Sequence, residues 1–350
     1  MEARLGSRQY AVALVGLVVV LFAVLSMLAP NTFPTVRNIV SMASQMAPLG
    51  LLALCVCMTF LIGGIDLSIV AVANASAIAA ALTANALEPT LGGMGASLVG
   101  VASCLAIGLI TGLINGVLVS RLRVHPIPIT LGTMALFTGI ATGVTGGATQ
   151  FGTGSLSFLG LGTLARIPVP FILFVVAAVV LSFITLRTRF GFGMYAVGAS
   201  EKVARFARLD VSQIQVRTYV LSGVIASIAG LVMFSSTNAA SVSFGSSFLI
   251  QAILIAVLSG VDPYGGRGRI MLIIFAVAAM QLVQTGINMA LGRWEGASFA
   301  AEFAWGVLLI LVLGLNRRLG KSQRRQLRQQ DVEMTDDDEP EDVAPSLEPR

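Results

Sequence analysis

Few side chains in this chain can do chemistry, and the most telling is Asp66, in the run Gly63-Gly64-Ile65-Asp66-Leu67-Ser68. Adjacent glycines interrupt a helix, and an interruption among membrane segments persists only where neighbours satisfy the freed backbone groups. Asp66 and Ser68 are placed to do so. Two readings of the carboxylate stay open: a structural clasp accepting hydrogen bonds from backbone donors at Gly63 and Gly64, or a ligand in a solute pathway, with Asn115 as a further polar candidate. The remaining polar groups within apolar stretches are mostly neutral amides such as Gln45, Asn74, Gln251, Gln281 and Gln284, and Glu302 is the only acid inside one of those stretches. A charge at mid-bilayer costs about 2.5 to 3.5 kcal/mol on insertion scales, so a proton- or sodium-coupled carrier would be expected to retain several acids as relays or ligands. Their scarcity disfavours a self-contained secondary carrier.

Catalytic chemistry lacks its parts. The single histidine, His125, rules out histidine clusters and triads, and Cys55, Cys57 and Cys104 have neither redox nor zinc spacing, so no metal or cofactor is expected. Gly320-Lys321-Ser322 resembles the end of a phosphate-binding loop, but Leu315 stands where the first glycine of that loop belongs. The chain therefore has no ATP site of its own, and ATP-driven work would fall to a partner. An enzyme is not expected.

The elements that must position these groups are membrane helices. Of 350 residues 56% are hydrophobic and 11% charged, against about 25% charged in a soluble domain. Ten apolar segments follow in order: Tyr10–Ala29, Asn38–Ile62, Ile69–Leu87, Ala96–Ser120, Pro128–Thr145, Pro168–Leu186, Thr218–Thr237, Phe248–Val261, Ile270–Ala290 and Ser298–Leu315. The first is too long and too poorly punctuated for a cleaved signal peptide. With the N-terminus inside, only Arg37, Arg166 and Arg293 of the 22 basic residues fall in outer segments. That asymmetry is the orientation signal of a cytoplasmic face, and it accounts for the net charge of +5 without nucleic acid. The expectation is an all-α polytopic membrane protein with about ten transmembrane helices and both termini cytoplasmic. The transmembrane domain would span residues 1–316, and residues 317–350, basic and then acidic, would form a disordered cytoplasmic tail whose basic half meets anionic lipids. Two glycine stripes, Gly108/Gly112/Gly116 and Gly139/Gly143/Gly147, predict close helix packing.

Between the sixth and seventh segments, residues 187–217 form the one long polar interruption. Val203, Phe206 and Ala207 take i, i+3, i+4 spacing there, which predicts a short amphipathic helix with those three residues anchored on the membrane domain or in a partner's cleft. Five runs now carry a resemblance: Gly64-Ile65-Asp66-Leu67-Ser68, Asn115-Gly116-Val117-Leu118-Val119, Thr130-Leu131-Gly132-Thr133-Met134, Tyr195-Ala196-Val197-Gly198 and Tyr219-Val220-Leu221-Ser222-Gly223. In this order they resemble the permease subunits of bacterial ribose, xylose and arabinose ABC importers, over nearly the whole chain to about Asn316.

The resemblance implies an inner-membrane permease that pairs with a second permease subunit, receives solute from a periplasmic binding protein and is driven by a cytoplasmic ATPase. It implies, too, that Gly198, Glu201, Ala204, Arg205, Arg208 and Leu209 belong to the segment that docks on the ATPase. Leu249 and Gln251 stand where the family usually has an acidic pair, Ser259-Gly260-Val261-Asp262 replaces Gly-Gly-Thr-Ser, Ser200 replaces a common Asn and Arg208 a common Gly. These departures weaken the carry-over of a substrate, and relatives of this fold also move nucleosides, branched-chain amino acids and autoinducer-like sugars.

Overall fold

The computed structural model describes residues 2–291 apart from 123 and 155, together with 300, 303 and 305–307. The tail 317–350 and most of the segment Ser298–Leu315 lie outside the described residues. The chain divides into two compact units, Met1–Ala301 and Glu302–Arg350, and every helix named below belongs to the first.

The helices are α1 (Glu2–Leu28), α2 (Val36–Leu61), α3 (Ile69–Leu122), α4 (Pro126–Thr145), α5 (Ser157–Leu161), α6 (Val169–Arg187), α7 (Arg189–Ala199), α8 (Glu201–Phe206), α9 (Val211–Thr237), α10 (Phe248–Leu258) and α11 (Ile273–Leu291). Seven are long and apolar enough to cross a membrane. One of the seven, α3, has 54 residues and would run about 80 Å if straight, against a hydrocarbon core of about 30 Å. It is not straight. Pro89 lies inside it and Gly92 takes φ 66° and ψ 168°, so the helix breaks into two arms. The arms fold back on each other, with Thr83 Oγ1 2.8 Å from Ser103 Oγ and Gly100 so close that a Cβ there would lie 3.1 Å from the Ala80 carbonyl. They correspond to the expected third and fourth segments.

Two helices form the centre. From Leu51 to Leu61 the apolar side chains of α2 are essentially inaccessible, and α9 is buried along most of its length, whereas α1 lies at the periphery with most of its side chains at least partly exposed. The first glycine stripe lets α9 approach the C-terminal arm of α3. A Cβ on Gly108 would lie 2.5 Å from the Gly223 carbonyl, and one on Gly112 2.5 Å from that of Tyr219. Cys104 joins this seam by donating to the Ser227 carbonyl at 3.2 Å, and Cys55 donates to the Ser222 carbonyl at 3.3 Å. Both thiols serve as small buried groups.

The second glycine stripe does not pack. A Cβ on Gly139 or Gly143 would meet nothing within 4 Å, and Gly147 falls in the turn beyond the Gly146 cap. This face of α4, which also exposes Leu136 and Ile140, points away from the other described residues, so the tight packing that the spacing suggested is not found among them. Periodicity reports a smooth face but not its neighbour. Two further differences concern lengths. α9 begins at Val211 rather than Thr218, because Asp210 caps it by accepting from the Gln213 amide at 2.9 Å, and α10 has only 11 residues. Four two-residue strands also occur among the described residues: β1 (Gln150–Phe151) pairs antiparallel with β4 (Ala239–Ala240), and β2 (Thr163–Leu164) with β3 (Ile167–Pro168).

Candidate functional site

One end of the bundle gathers the polar interruption, the Gly63–Ser68 turn and the loop 259–269. The interruption is three capped pieces. Thr188 starts α7 by accepting from the Gly191 amide at 3.1 Å, Ser200 starts α8 by accepting from the Val203 amide at 3.4 Å, and Asp210 starts α9. The turn after α8 closes through Leu209 N to the Ala204 carbonyl at 3.1 Å, with Arg208 at φ 58°. That left-handed backbone is one that glycine adopts more readily than arginine.

The face that α8 buries differs from the amphipathic expectation. Ala204 is the anchored residue, at 1% exposure, while Val203 is 64% and Phe206 88% exposed, and Ala207 is exposed as well. Six helical residues are too few for a stripe at i, i+3, i+4 to be seated; one small side chain suffices. On the outer surface Glu201 and Arg205 form an ion pair at 2.6 Å, beside exposed Lys202 and Arg208. The helix thus presents two bare apolar side chains in a charged rim.

Gly198 locks this segment to the bundle. Its α-carbon lies against the Leu61 carbonyl at the end of α2 and the Gly266 amide, and those two groups bond to each other, Gly266 N donating to Leu61 O at 3.0 Å. Tyr195 adds a second tie by donating to the Gly268 carbonyl at 2.8 Å, and burial pushes its hydroxyl pKa up. The loop itself is shaped by Asp262, which accepts from the Tyr264 amide at 3.0 Å and donates through its own amide to the Arg267 carbonyl at 3.0 Å. Across from it, Gly63 at φ 74° approaches the Tyr264 carbonyl.

The same turn carries Asp66, at 3% exposure. The break therefore lies between two spans and beside α7, at the end of the bundle rather than at its mid-depth. Its hydrogen bonds also differ from the clasp that the sequence suggested. The Gly63 and Gly64 amides donate back to Phe60 O at 2.8 Å and Thr59 O at 2.9 Å, closing the end of α2. Asp66 Oδ1 instead accepts from the Ser68 amide at 2.9 Å and the Ser68 hydroxyl at 2.6 Å, opening α3. Ser68 Oγ in turn accepts from Asn115 Nδ2 at 2.7 Å, and Thr130 donates to the Ile65 carbonyl at 3.1 Å. Burial raises the Asp66 carboxyl pKa, opposed in part by the two bonds from Ser68. Against this cluster lies the Tyr219 hydroxyl: a Cβ on Gly64 would sit 2.9 Å from it.

Of the residues singled out beforehand, Gly63, Gly64, Asp66, Ser68 and Asn115 converge on this turn, and Gly198 sits on the adjoining end of α2. Glu201, Arg205 and Arg208 line the outer surface. Thr130 and Tyr219 were passed over as site residues although both open a quoted run. Their signal was the run itself, since neither stands at a spacing that suggests chemistry.

Comparison with known proteins follows the same lines. Residues 38–315 match the family described as branched-chain amino acid transport system / permease component. The chain is 33% identical over 303 residues to the ribose import permease protein RbsC of Bacillus subtilis, covering 85% of this chain and 90% of that protein. It is 32% identical over 306 residues to the D-allose transport system permease protein AlsC of Escherichia coli, covering 86% and 90%. Against the autoinducer 2 import system permease protein LsrD of Photorhabdus luminescens it is 32% identical over 285 residues, covering 79% and 82%.

Proposed function

We propose, from the premise that this chain belongs to the branched-chain amino acid transport system / permease component family, that it is the membrane-spanning permease subunit of an ABC importer for a monosaccharide. It is a transport subunit and a multi-pass protein of the bacterial inner membrane. The observation that carries the reading is α8, a short helix with Phe206 and Val203 bare in a charged rim, bound through Gly198 to the end of a central helix. A cytoplasmic ATPase docks there. Apolar tips in a cleft supply adhesion, and the rim charges of Glu201, Arg205 and Arg208 set orientation.

The other partners follow from the remaining surfaces. Ten spans with both termini cytoplasmic place the paired strands β1–β4 and β2–β3 outside, where a periplasmic binding protein delivers its sugar. The open glycine face of α4 receives the second permease subunit, a second copy or a paralogue, since small residues there allow close helix approach. Buried Gln281, joined at 3.0 Å to the exposed Gln45, belongs to a set of neutral amides suited to an uncharged polyol rather than to an ion.

The test is reconstitution of the chain in vesicles with its ATPase and binding protein, presenting labelled ribose and allose. Uptake should need ATP and both partners. Uptake by the chain alone, driven by an ion gradient, would overturn the proposal.

A further inference from the structure

We infer that the chamber enclosed by the Gly63–Ser68 turn, the C-terminal arm of α3 and the first turns of α9 holds a resident alkali-metal cation, with Asp66, Asn115 and Tyr219 as its side-chain ligands. The cation is a fixed part of the subunit, not its cargo. This goes beyond the transport reading and rests on separate observations.

The first is an uncompensated charge. Asp66 is buried, and no basic side chain pairs with it: the one ion pair among the described residues joins Arg205 to Glu201 on the surface. A buried carboxylate without a partner is costly, and proteins neutralise it or supply a counter-charge.

The second is a set of oxygens without partners at the same place. Asn115, at 1% exposure, spends its Nδ2 on Ser68, and its Oδ1 is left with no donor. Tyr219 has no exposure at all, and its hydroxyl, lying against Gly64, has no hydrogen-bond partner. Gly64 stands two residues before Asp66, so the contact puts the hydroxyl beside the turn that carries the carboxylate. Buried polar groups are rarely left unpaired, and two fully buried ones around a lone carboxylate mark an occupant.

The donor set then selects among occupants. A proton on Asp66 would cancel the charge and add one donor beside the Tyr219 hydroxyl, so it answers the orphan oxygens only through a chain of donors each turned the right way. A cation draws on the lone pairs of the carboxylate, the amide and the phenol together. All the ligands are oxygen and only one is charged, which suits a monovalent ion: divalent calcium takes six to eight oxygens, several of them carboxylates, and transition metals take nitrogen or sulfur. Consistently, no group of three His, Cys, Asp or Glu side chains occurs among the described residues. Gly64 lets the Tyr219 hydroxyl come close to the turn, since a methyl group there would press on it. A cation in this chamber stiffens the turn on which the Leu61, Gly198 and Gly266 contact is built.

The experiment uses the full chain purified in detergent and exchanged into choline chloride at fixed pH and ionic strength. Sodium or potassium chloride then replaces choline stepwise while thermal unfolding is followed. Saturable stabilisation by either alkali ion is expected. In Tyr219→Phe the midpoint should move to higher salt, and in Asp66→Asn the response should vanish. Should Asp66→Asn fail to fold, equilibrium binding of radioactive sodium or rubidium to the wild-type chain, expected at one ion per chain, decides alone. Equal melting in choline, sodium and potassium would mean that ordered water fills the chamber, and stability that follows pH but ignores the salt would mean a proton. Either result overturns the cation. Neither sugar nor ATPase is present, so failure here leaves the proposed transport role standing, and failure of transport leaves the site standing.

Discussion

Replacing Gly198 by alanine tests how the polar segment is locked to the bundle. The added methyl group would overlap the Leu61 carbonyl and the Gly266 amide, so either α7 or the loop 259–269 must shift. The shift breaks the 3.0 Å bond from Gly266 N to Leu61 O, a loss of about 1 kcal/mol, and the overpacking itself costs about 1–3 kcal/mol. Against this, alanine in place of glycine inside α7 returns up to about 1 kcal/mol of helix propensity. The balance is a destabilisation of about 1–3 kcal/mol, read as a lower Tm in detergent. Gly16→Ala in α1 is the matched control, since a Cβ there meets nothing within 4 Å and only the propensity gain remains. In vesicles, Gly198→Ala should also lower sugar uptake per ATP hydrolysed, because the proposed docking surface loses its fixed place on α2. Melting of Gly198→Ala at or above the wild-type Tm, with Gly16→Ala unchanged or raised, would refute the reasoning.

The exposed Glu201–Arg205 pair contributes only about 0.3–0.5 kcal/mol, so Glu201→Arg and Arg205→Glu should insert and melt normally yet cut ATP-driven uptake. If the doubly reversed protein transports at the wild-type rate, α8 is not the docking helix. Gly112→Leu should prevent α3 and α9 from closing and abolish folded protein, whereas Gly143→Leu should leave the isolated subunit's melting unchanged and reduce assembly, checked by size-exclusion chromatography with the partner subunit. In a background lacking the three native cysteines, Thr163→Cys and Lys202→Cys should label from opposite faces with an impermeant thiol reagent; labelling from one face would break the ten-span order. Because burial raises the Asp66 pKa, the folded state holds a proton that the unfolded chain releases. In alkali-free buffer, stability should therefore fall as pH rises from the ordinary carboxylate pKa of about 4 through the higher folded value, and level off above it. Asp66→Asn should flatten that part of the profile.

Much was legible without coordinates. Apolar runs long enough to cross a bilayer announce themselves because lipid forces every backbone group into a helix, and ordered runs such as Gly64-Ile65-Asp66-Leu67-Ser68 carried the family. The stripe Gly108, Gly112, Gly116 packed as its spacing implied. Its twin on α4 had the same spacing and met open space, because a period describes a face and not what covers it. For α8, the sequence offered Val203, Phe206 and Ala207 two seats, the membrane domain or a partner's cleft, and within the chain the structure seats Ala204 instead. A helix of six residues is oriented by its end contacts more than by its stripe.

Asp66 marks the same boundary. Its type, its neighbours and the glycines before it identify a helix break, which is a local property. Which groups it meets is decided by α3 and α9, whose contributions at Asn115 and Tyr219 lie about fifty and a hundred and fifty residues further along the chain. Hydropathy and short motifs are written locally, and they are enough to identify a membrane permease of helices with a long polar interruption. That the break, this polar segment and the buried oxygens share one corner depends on how closely glycines let distant helices approach, and so emerges only from the tertiary structure.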